Sequence, residues 1–140
     1  MALRSNRAIH TLHLDRNNAS DDFGREMGIT LTMNKTLHTL DLSDNDIKFS
    51  GAAHLAQAMA RNDTITSLNL SRNSIGNEGA TEVAKMLAEN RTLRQLRMSW
   101  NTISDAGAHE LAAVLRTNPA LELFDVADNR VSSVGATELA

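Results

Sequence analysis

The chain repeats itself every 28 residues, and that period limits what it can fold into more than any other property. Leu37, Leu40, Leu42, Asn45 and Ile47 return as Ile65, Leu68, Leu70, Asn73 and Ile75. The same step reaches Leu93, Leu96, Met98, Asn101 and Ile103, then Leu121, Phe124, Val126, Asn129 and Val131. Backwards it gives Ile9, Leu12, Leu14, Asn17 and Ala19, so five periods fill the 140 residues. Such a chain needs no central core, because each unit buries its apolar face against its neighbours.

Within a unit the hydrophobic spacing changes character. Leu40-Asp41-Leu42 alternates apolar and polar, which predicts a short strand with one buried face. Asn45 follows in a turn. Gly51, Ala52, Leu55, Ala56 and Met59 then recur at helical spacing. Asn62 is expected to close that helix in the left-handed conformation, and Asn6, Asn34, Asn90 and Asn118 complete its column. Asp21, Asn77, Asp105 and Ser133 stand where helices begin and read as their N-caps. Phe49 breaks that column, with Ser50 as a substitute one residue later. The first unit's helix, near residues 22–33, is the least regular, because Phe23 replaces the glycine of the other units.

A strand and a helix this short cannot bury their faces alone, so the units must stack. Strands then lie about 4.8 Å apart, while helices need about 8–10 Å. The mismatch bends the stack, with the sheet inside and the helices outside. Ala52, Ala56, Ala80, Ala84, Ala108 and Ala112 keep the outer layer close and limit the bend. Asn17, Asn45, Asn73, Asn101 and Asn129 sit where the chain leaves each strand. A buried amide there can bond the backbone of its own and adjacent turns.

The pattern LxxLxLxxNxI, followed by GAxxLAxxL and a closing asparagine, resembles the leucine-rich repeat. The 28-residue period resembles its ribonuclease-inhibitor-like class. The likeness covers essentially the whole chain and is strongest in units two to four. It implies an α/β solenoid, a right-handed horseshoe arc with a concave parallel sheet and convex helices, spanning residues 1–140 as one domain. Members of this class include ribonuclease inhibitor, the sensor arms of nucleotide-binding immune receptors, Ran GTPase-activating protein and tropomodulin. They share a curved surface that binds macromolecules and do not share a reaction. Ala2–Asn6 aligns with the end of a helix and Ala136–Ala140 with the first half of one. Neither end shows a polar capping unit, so a fragment of a longer array, or ends covered by a partner, is expected.

Composition narrows the function classes. A net charge of −3 argues neither for a nucleic-acid partner nor for an acidic tail. The absence of cysteine leaves no disulfide framework and no thiolate metal site. Extracellular repeats of this type usually carry disulfide-bonded caps, so a cytoplasmic protein is expected. Residues 1–20 lack the apolar run of a signal peptide, and no segment reaches membrane-spanning length. There is no glycine-rich phosphate loop, nucleophile elbow or HExxH. Ser43, Ser71 and Ser99 line the sheet in register with no histidine placed to activate them. No catalysis, cofactor or small-molecule substrate is expected. Basic residues are not interleaved with aromatics, which argues further against nucleic acid.

Side chains the strands do not bury form three rows. One is His13, Asp41, Asn69, Arg97 and Asp125; a second is Thr11, Thr39, Ser67, Gln95 and Leu123. The third, at the strand exits, is Arg16, Asp44, Arg72, Trp100 and Asp128. Trp100 is the sharpest signal: the only tryptophan stands where the repeat expects a polar residue. With Arg94, Arg97 and an exposed Leu123 beside it, the group has the composition of an interface hot spot. The competing reading is that Arg72 stacks on the Trp100 ring and nothing binds. Opposite charges on neighbouring strands, Arg94 with Glu122 and Arg97 with Asp125, read as cross-strand pairs. Glu122, Asp125 and Asp128 also form an acidic patch able to meet a basic partner.

Other constellations are weaker. His10, His13 and His38 suggest zinc, but His10 and His13 point to opposite faces of a strand. Asp41, Asp44 and Asp46 lack the glycine and glutamate of a calcium loop. The Asn-x-Ser/Thr triplets follow from the repeat. The function expected is therefore binding of another protein through the concave face, centred on Arg72, Arg94, Arg97, Trp100, Leu123 and Asp125. The resemblance adds three alternatives: a non-catalytic regulator of a small GTPase, a receptor sensor arm, or a structural subunit of a large assembly.

Overall fold

The computed structural model describes residues 2–140. After a 3-10 turn at Ala2–Arg4, strands and helices alternate through the chain. The strands are β1 (Thr11–His13), β2 (Thr39–Asp41), β3 (Ser67–Asn69), β4 (Gln95–Arg97) and β5 (Leu123–Asp125). The helices are α1 (Asp21–Met33), α2 (Phe49–Arg61), α3 (Gly76–Glu89), α4 (Asp105–Leu115) and α5 (Ser133–Leu139). The strands form one parallel sheet in chain order, with Leu12, Leu40, Leu68, Leu96 and Phe124 in line. Leu40, Leu68 and Leu96 are buried and their strand neighbours only partly so, as the alternation predicts. Each helix packs on the next through small residues, with Ala52, Ala56, Ala80, Ala84, Ala108 and Ala112 all buried. Leu12, Leu14, Phe124 and Val126, in units with a neighbour on one side only, stay partly exposed.

Three hydrogen-bond ladders join the units, and each corrects or extends the sequence reading. The first is the asparagine at each strand exit. The Asn101 amide nitrogen donates to the Leu70, Met98 and Ser99 carbonyls at 2.8, 3.1 and 3.2 Å. Its oxygen accepts from the Ile75 N–H at 3.3 Å. One buried side chain thus satisfies backbone groups in two units. Asn45, Asn73 and Asn129 repeat the arrangement.

The second ladder is the asparagine after each helix. Its backbone is extended, not left-handed: Asn62 has φ −73° and ψ 130°. The side chain does the work instead. Asn62 Oδ1 accepts from the Thr64 and Ile65 N–H groups, turning the chain toward β3, while Nδ2 donates to the Leu31 carbonyl one unit back. A residue with these bonds needs a carboxamide and not a special φ, which is why the expected left-handed cap is absent.

The third ladder reassigns the N-caps. The residues flanking the helix starts are Ser20, Lys48, Ile75, Ser104 and Ser132, and of these only Ser132 caps its own helix. Asp21, Asn77 and Asp105 cap the helix of the following unit. Asp21 Oδ1 accepts from the Lys48 and Gly51 N–H groups at 2.7 and 2.9 Å. Asn77 Oδ1 takes the Ser104 and Gly107 N–H groups, and Asp105 takes that of Ser132. Close approach of this side chain explains the glycine: a Cβ on Gly51 would lie 2.6 Å from Asp21 Oδ1 and 2.9 Å from Asp21 Cα. Ser50 is not a substitute cap, because α2 already has Asp21.

The broken link falls one unit later. Phe49 has no acceptor to offer α3, and there the backbone departs from the pattern. Gly76 turns to φ +67° and donates its N–H to the Asn101 carbonyl at 3.0 Å. Thr102, on the facing turn, is left-handed at φ 59°.

Candidate functional site

The strand-exit row has one backbone conformation throughout. Arg16, Asp44, Arg72, Trp100 and Asp128 are all left-handed, with φ between 54° and 59°. The cause is the stack. In this conformation each N–H points to the next unit: Asp44 to Ser71, Arg72 to Ser99 and Trp100 to Ala127, at 2.9, 2.8 and 3.1 Å. The left-handed region costs an ordinary L-residue about 1–2 kcal/mol, and Asn, Asp and Gly least. Asp44 and Asp128 fit that rule. Arg16, Arg72 and Trp100 do not, and a bulky residue there is a true outlier.

Trp100 is 49% exposed, so little burial offsets its backbone. The Arg72 guanidinium lies over its ring, 5.0 Å from the centroid. A contact of this kind contributes about 0.5–1 kcal/mol at an exposed site. The stacking read from the sequence is therefore present. Trp100 stays half-exposed beneath it, and Arg72 is itself exposed.

The other expected residues fall in two groups. Arg97 and Asp125 are register partners on β4 and β5 near the strand exits. They do not form the cross-strand ion pair their register suggests. Asp125 Oδ1 accepts from the Ala127 N–H at 2.9 Å, and Arg97 Nη1 reaches Gln95 Oε1 at 3.4 Å. Arg94 and Leu123 lie at the strand-entry end. Arg94 Nη1 donates to the Ala120 carbonyl at 2.9 Å, with Glu122 3.9 Å from Nε. Leu123 is half-buried beside Gln95.

The histidines separate as their spacing predicts. His10 stacks on His38 at 5.3 Å, each ring nitrogen Nδ1 held by the carbonyl two residues earlier. His13 lies instead with Asp15 and Asp41, their ligand atoms within 4.8 Å of one another. Asp41 is already occupied by protein donors: Ser43 through Oγ at 2.6 Å and N–H at 2.8 Å, and Asn69 at 3.1 Å. Burial pushes the Asp41 carboxyl up, but these hydrogen bonds and the nearby His13 outweigh it and hold it below the usual range. Ser99 Oγ donates to Ser71 Oγ at 2.9 Å, so these serines bond each other along the sheet. On the helix side an open groove of about 520 Å³ between α1 and α2 is lined by Ile29, His54 and Arg61, among others. No helix among the described residues is long and apolar enough to cross a membrane.

Two features are not apparent from the sequence. The caps serve the helix of the following unit, of which the sequence carries one trace: the unit after Phe49 is the one with glycine at position 76. The left-handed row was hidden because Arg and Trp occupy three of its five positions.

A search of curated proteins finds no match. The fold of the leiomodin-1 actin-binding site 2 is similar, with a TM-score of 0.88 at 20% identity, over 98% of this chain and 80% of that one. The tropomodulin C-terminal domain of Caenorhabditis elegans is similar with a TM-score of 0.83 at 12% identity, over 98% and 84%. The family model for the leucine-rich repeat matches residues 34–56, 61–84 and 89–112. Those three stretches carry the strand, the asparagine turn and the first part of the helix described above, and the chain belongs to the leucine-rich repeat family.

Proposed function

We propose that this chain is a protein-binding module that engages its partner through the concave sheet face around Trp100. Arg72, Arg97 and Asp125 flank the tryptophan, and Arg94 and Leu123 extend the surface toward the strand-entry end. The observation that carries the reading is Trp100 itself: a half-exposed indole in a left-handed backbone. A residue selected for stability at that turn would be Asn, Asp or Gly. The stack requires the left-handed backbone but not a bulky side chain on it, and that unforced cost points to function. A rigid sheet also lowers the ordering cost of binding.

Affinity capture from cell extract, followed by mass spectrometry, tests this. The full chain is compared with a Trp100→Asn, Arg97→Ala variant shown to be folded by circular dichroism. Partners captured by the wild type should be lost from the variant. An identical partner set would rule this face out. Actin is the first purified partner to test by co-sedimentation, since the leiomodin-1 domain of similar fold is an actin-binding site. Stimulated GTP hydrolysis across a panel of small GTPases would support the regulator alternative instead.

A further inference from the structure

Trp100 lies among charges of both signs. Arg72 precedes it in the strand-exit row, and Arg97 stands in its own unit at the base of the same turn. Asp128 follows it in the row, and Asp125, in register with Arg97, lies in the following unit. Among the described residues, none of the four has an oppositely charged side chain within ion-pairing distance. Elsewhere in the same row, Arg16 and Asp44 are adjacent and do pair, at 3.7 Å. Asp44, also next to Arg72 in the row, pairs with Arg16 and not with Arg72. On the other side of Arg72 the tryptophan takes the place of a charge, so Arg72 and Asp128 are two units apart, about 10 Å. Over that distance in water two charges barely interact, so Arg72 and Asp128 do not neutralise each other.

We infer that the segment docking on this face is bipolar: a carboxylate and a cation on either side of a large apolar side chain. The carboxylate meets Arg72, the apolar group covers Trp100, and the cation meets Asp128. Arg72 suits the first role, because it is exposed and the ring beneath holds its guanidinium for a bidentate acceptor. An extended chain spans about 10 Å in about three residues. The acidic and basic residues therefore lie about three positions apart, with the apolar one between. A partner of one sign would leave half of the surface facing like or unmatched charge. This inference rests on the concave face being the docking surface.

A random twelve-residue peptide library displayed on phage, panned on the immobilised full chain and counter-selected on the Trp100→Asn variant, tests both layers separately. The expected survivors carry Asp or Glu and Lys or Arg flanking an aromatic or long aliphatic residue. Survivors of a single sign would overturn bipolarity while leaving the docking face intact. Failure to obtain any peptide sensitive to Trp100 would overturn both. A second variant, Asp128→Arg, removes the negative end, and it will fold because Arg16 and Arg72 occupy the same left-handed position. Selected bipolar peptides should bind it at least tenfold more weakly. Equal binding to wild type and Asp128→Arg would refute the basic half of the segment.

Discussion

Asn101 and Trp100 are neighbours in the chain and opposites in their relation to the fold. The asparagine position holds the same residue in every unit: Asn17, Asn45, Asn73, Asn101 and Asn129. The position before it holds Arg16, Asp44, Arg72, Trp100 and Asp128. Both face a demand from the backbone. The asparagine must satisfy carbonyls and an N–H that no strand or helix can reach, and only a carboxamide supplies both kinds of group. Its neighbour must turn left-handed so that its N–H meets the next unit, and its side chain is not needed for that. One position is therefore uniform, buried at Asn73 and Asn101 and half-buried at Asn45 and Asn129. The other is free to vary, and in units one, three and four it varies against its own backbone preference. Where a repeat keeps a residue, the stack explains it; where it departs at an energetic cost, the explanation lies outside the stack.

This contrast can be broken at either position. The largest effect belongs to Asn101→Ala, which leaves buried carbonyls and the Ile75 N–H without a partner. It should destabilise the protein by about 3 kcal/mol, measured by urea denaturation, since each buried unsatisfied group costs about 1–3 kcal/mol. A change below about 1 kcal/mol would mean that the ladder does not hold the units together. Trp100→Asn should act in the opposite sense. Relief of the left-handed strain, about 1–2 kcal/mol, is partly offset by the lost stacking of Arg72, about 0.5–1 kcal/mol. Stability should hold or rise by up to about 1 kcal/mol while partner capture falls. A clear loss of stability would assign Trp100 to the fold and remove the main argument for binding.

The smallest effect sharpens the comparison on the same face. Asp41 is exposed enough to be a surface residue, yet Ser43 and Asn69 bond it as firmly as any ladder member. Its carboxyl titrates below its value in the unfolded chain, about 3.9. The charged form is therefore favoured by folding. That contribution is fully present above the unfolded pKa and is lost as pH falls through the lower folded one. The melting-temperature difference between wild type and Asp41→Asn should be flat above about pH 5 and shrink below about pH 4. A difference that is constant down to about pH 2 would show that the hydrogen bonds do not select the ionised form.

Much of this architecture was legible before any coordinates. Leu40, Leu68 and Leu96 stand in register as their spacing required, the alanines lie buried between helices, and Trp100 is on the surface. The misreadings share one origin. Asp21, Asn77 and Asp105 looked like caps and are caps, but for a helix whose first turn lies 27 residues further on. Asn62 looked like a left-handed terminator because asparagine often is one, whereas here its side chain reaches back to Leu31. Local rules identified the residue type and could not say which unit it served. Of the expected cross-strand charge pairs, Arg94 with Glu122 and Arg16 with Asp44 are present. Arg97 and Asp125 stand in register but do not pair, because the Ala127 N–H competes for the carboxylate.

Periodicity alone settled the order of strands and helices, the single parallel sheet and the identity of the core, because a residue recurring at one step must do one job in every unit. It did not settle what happens between units. Which helix an acceptor side chain caps, why Gly76 turns after Phe49, and how Arg72 comes to lie on the Trp100 ring all depend on groups brought together only by stacking. Those distances run across the pile and not along the chain, so the spacing of residues in the sequence carries no record of them.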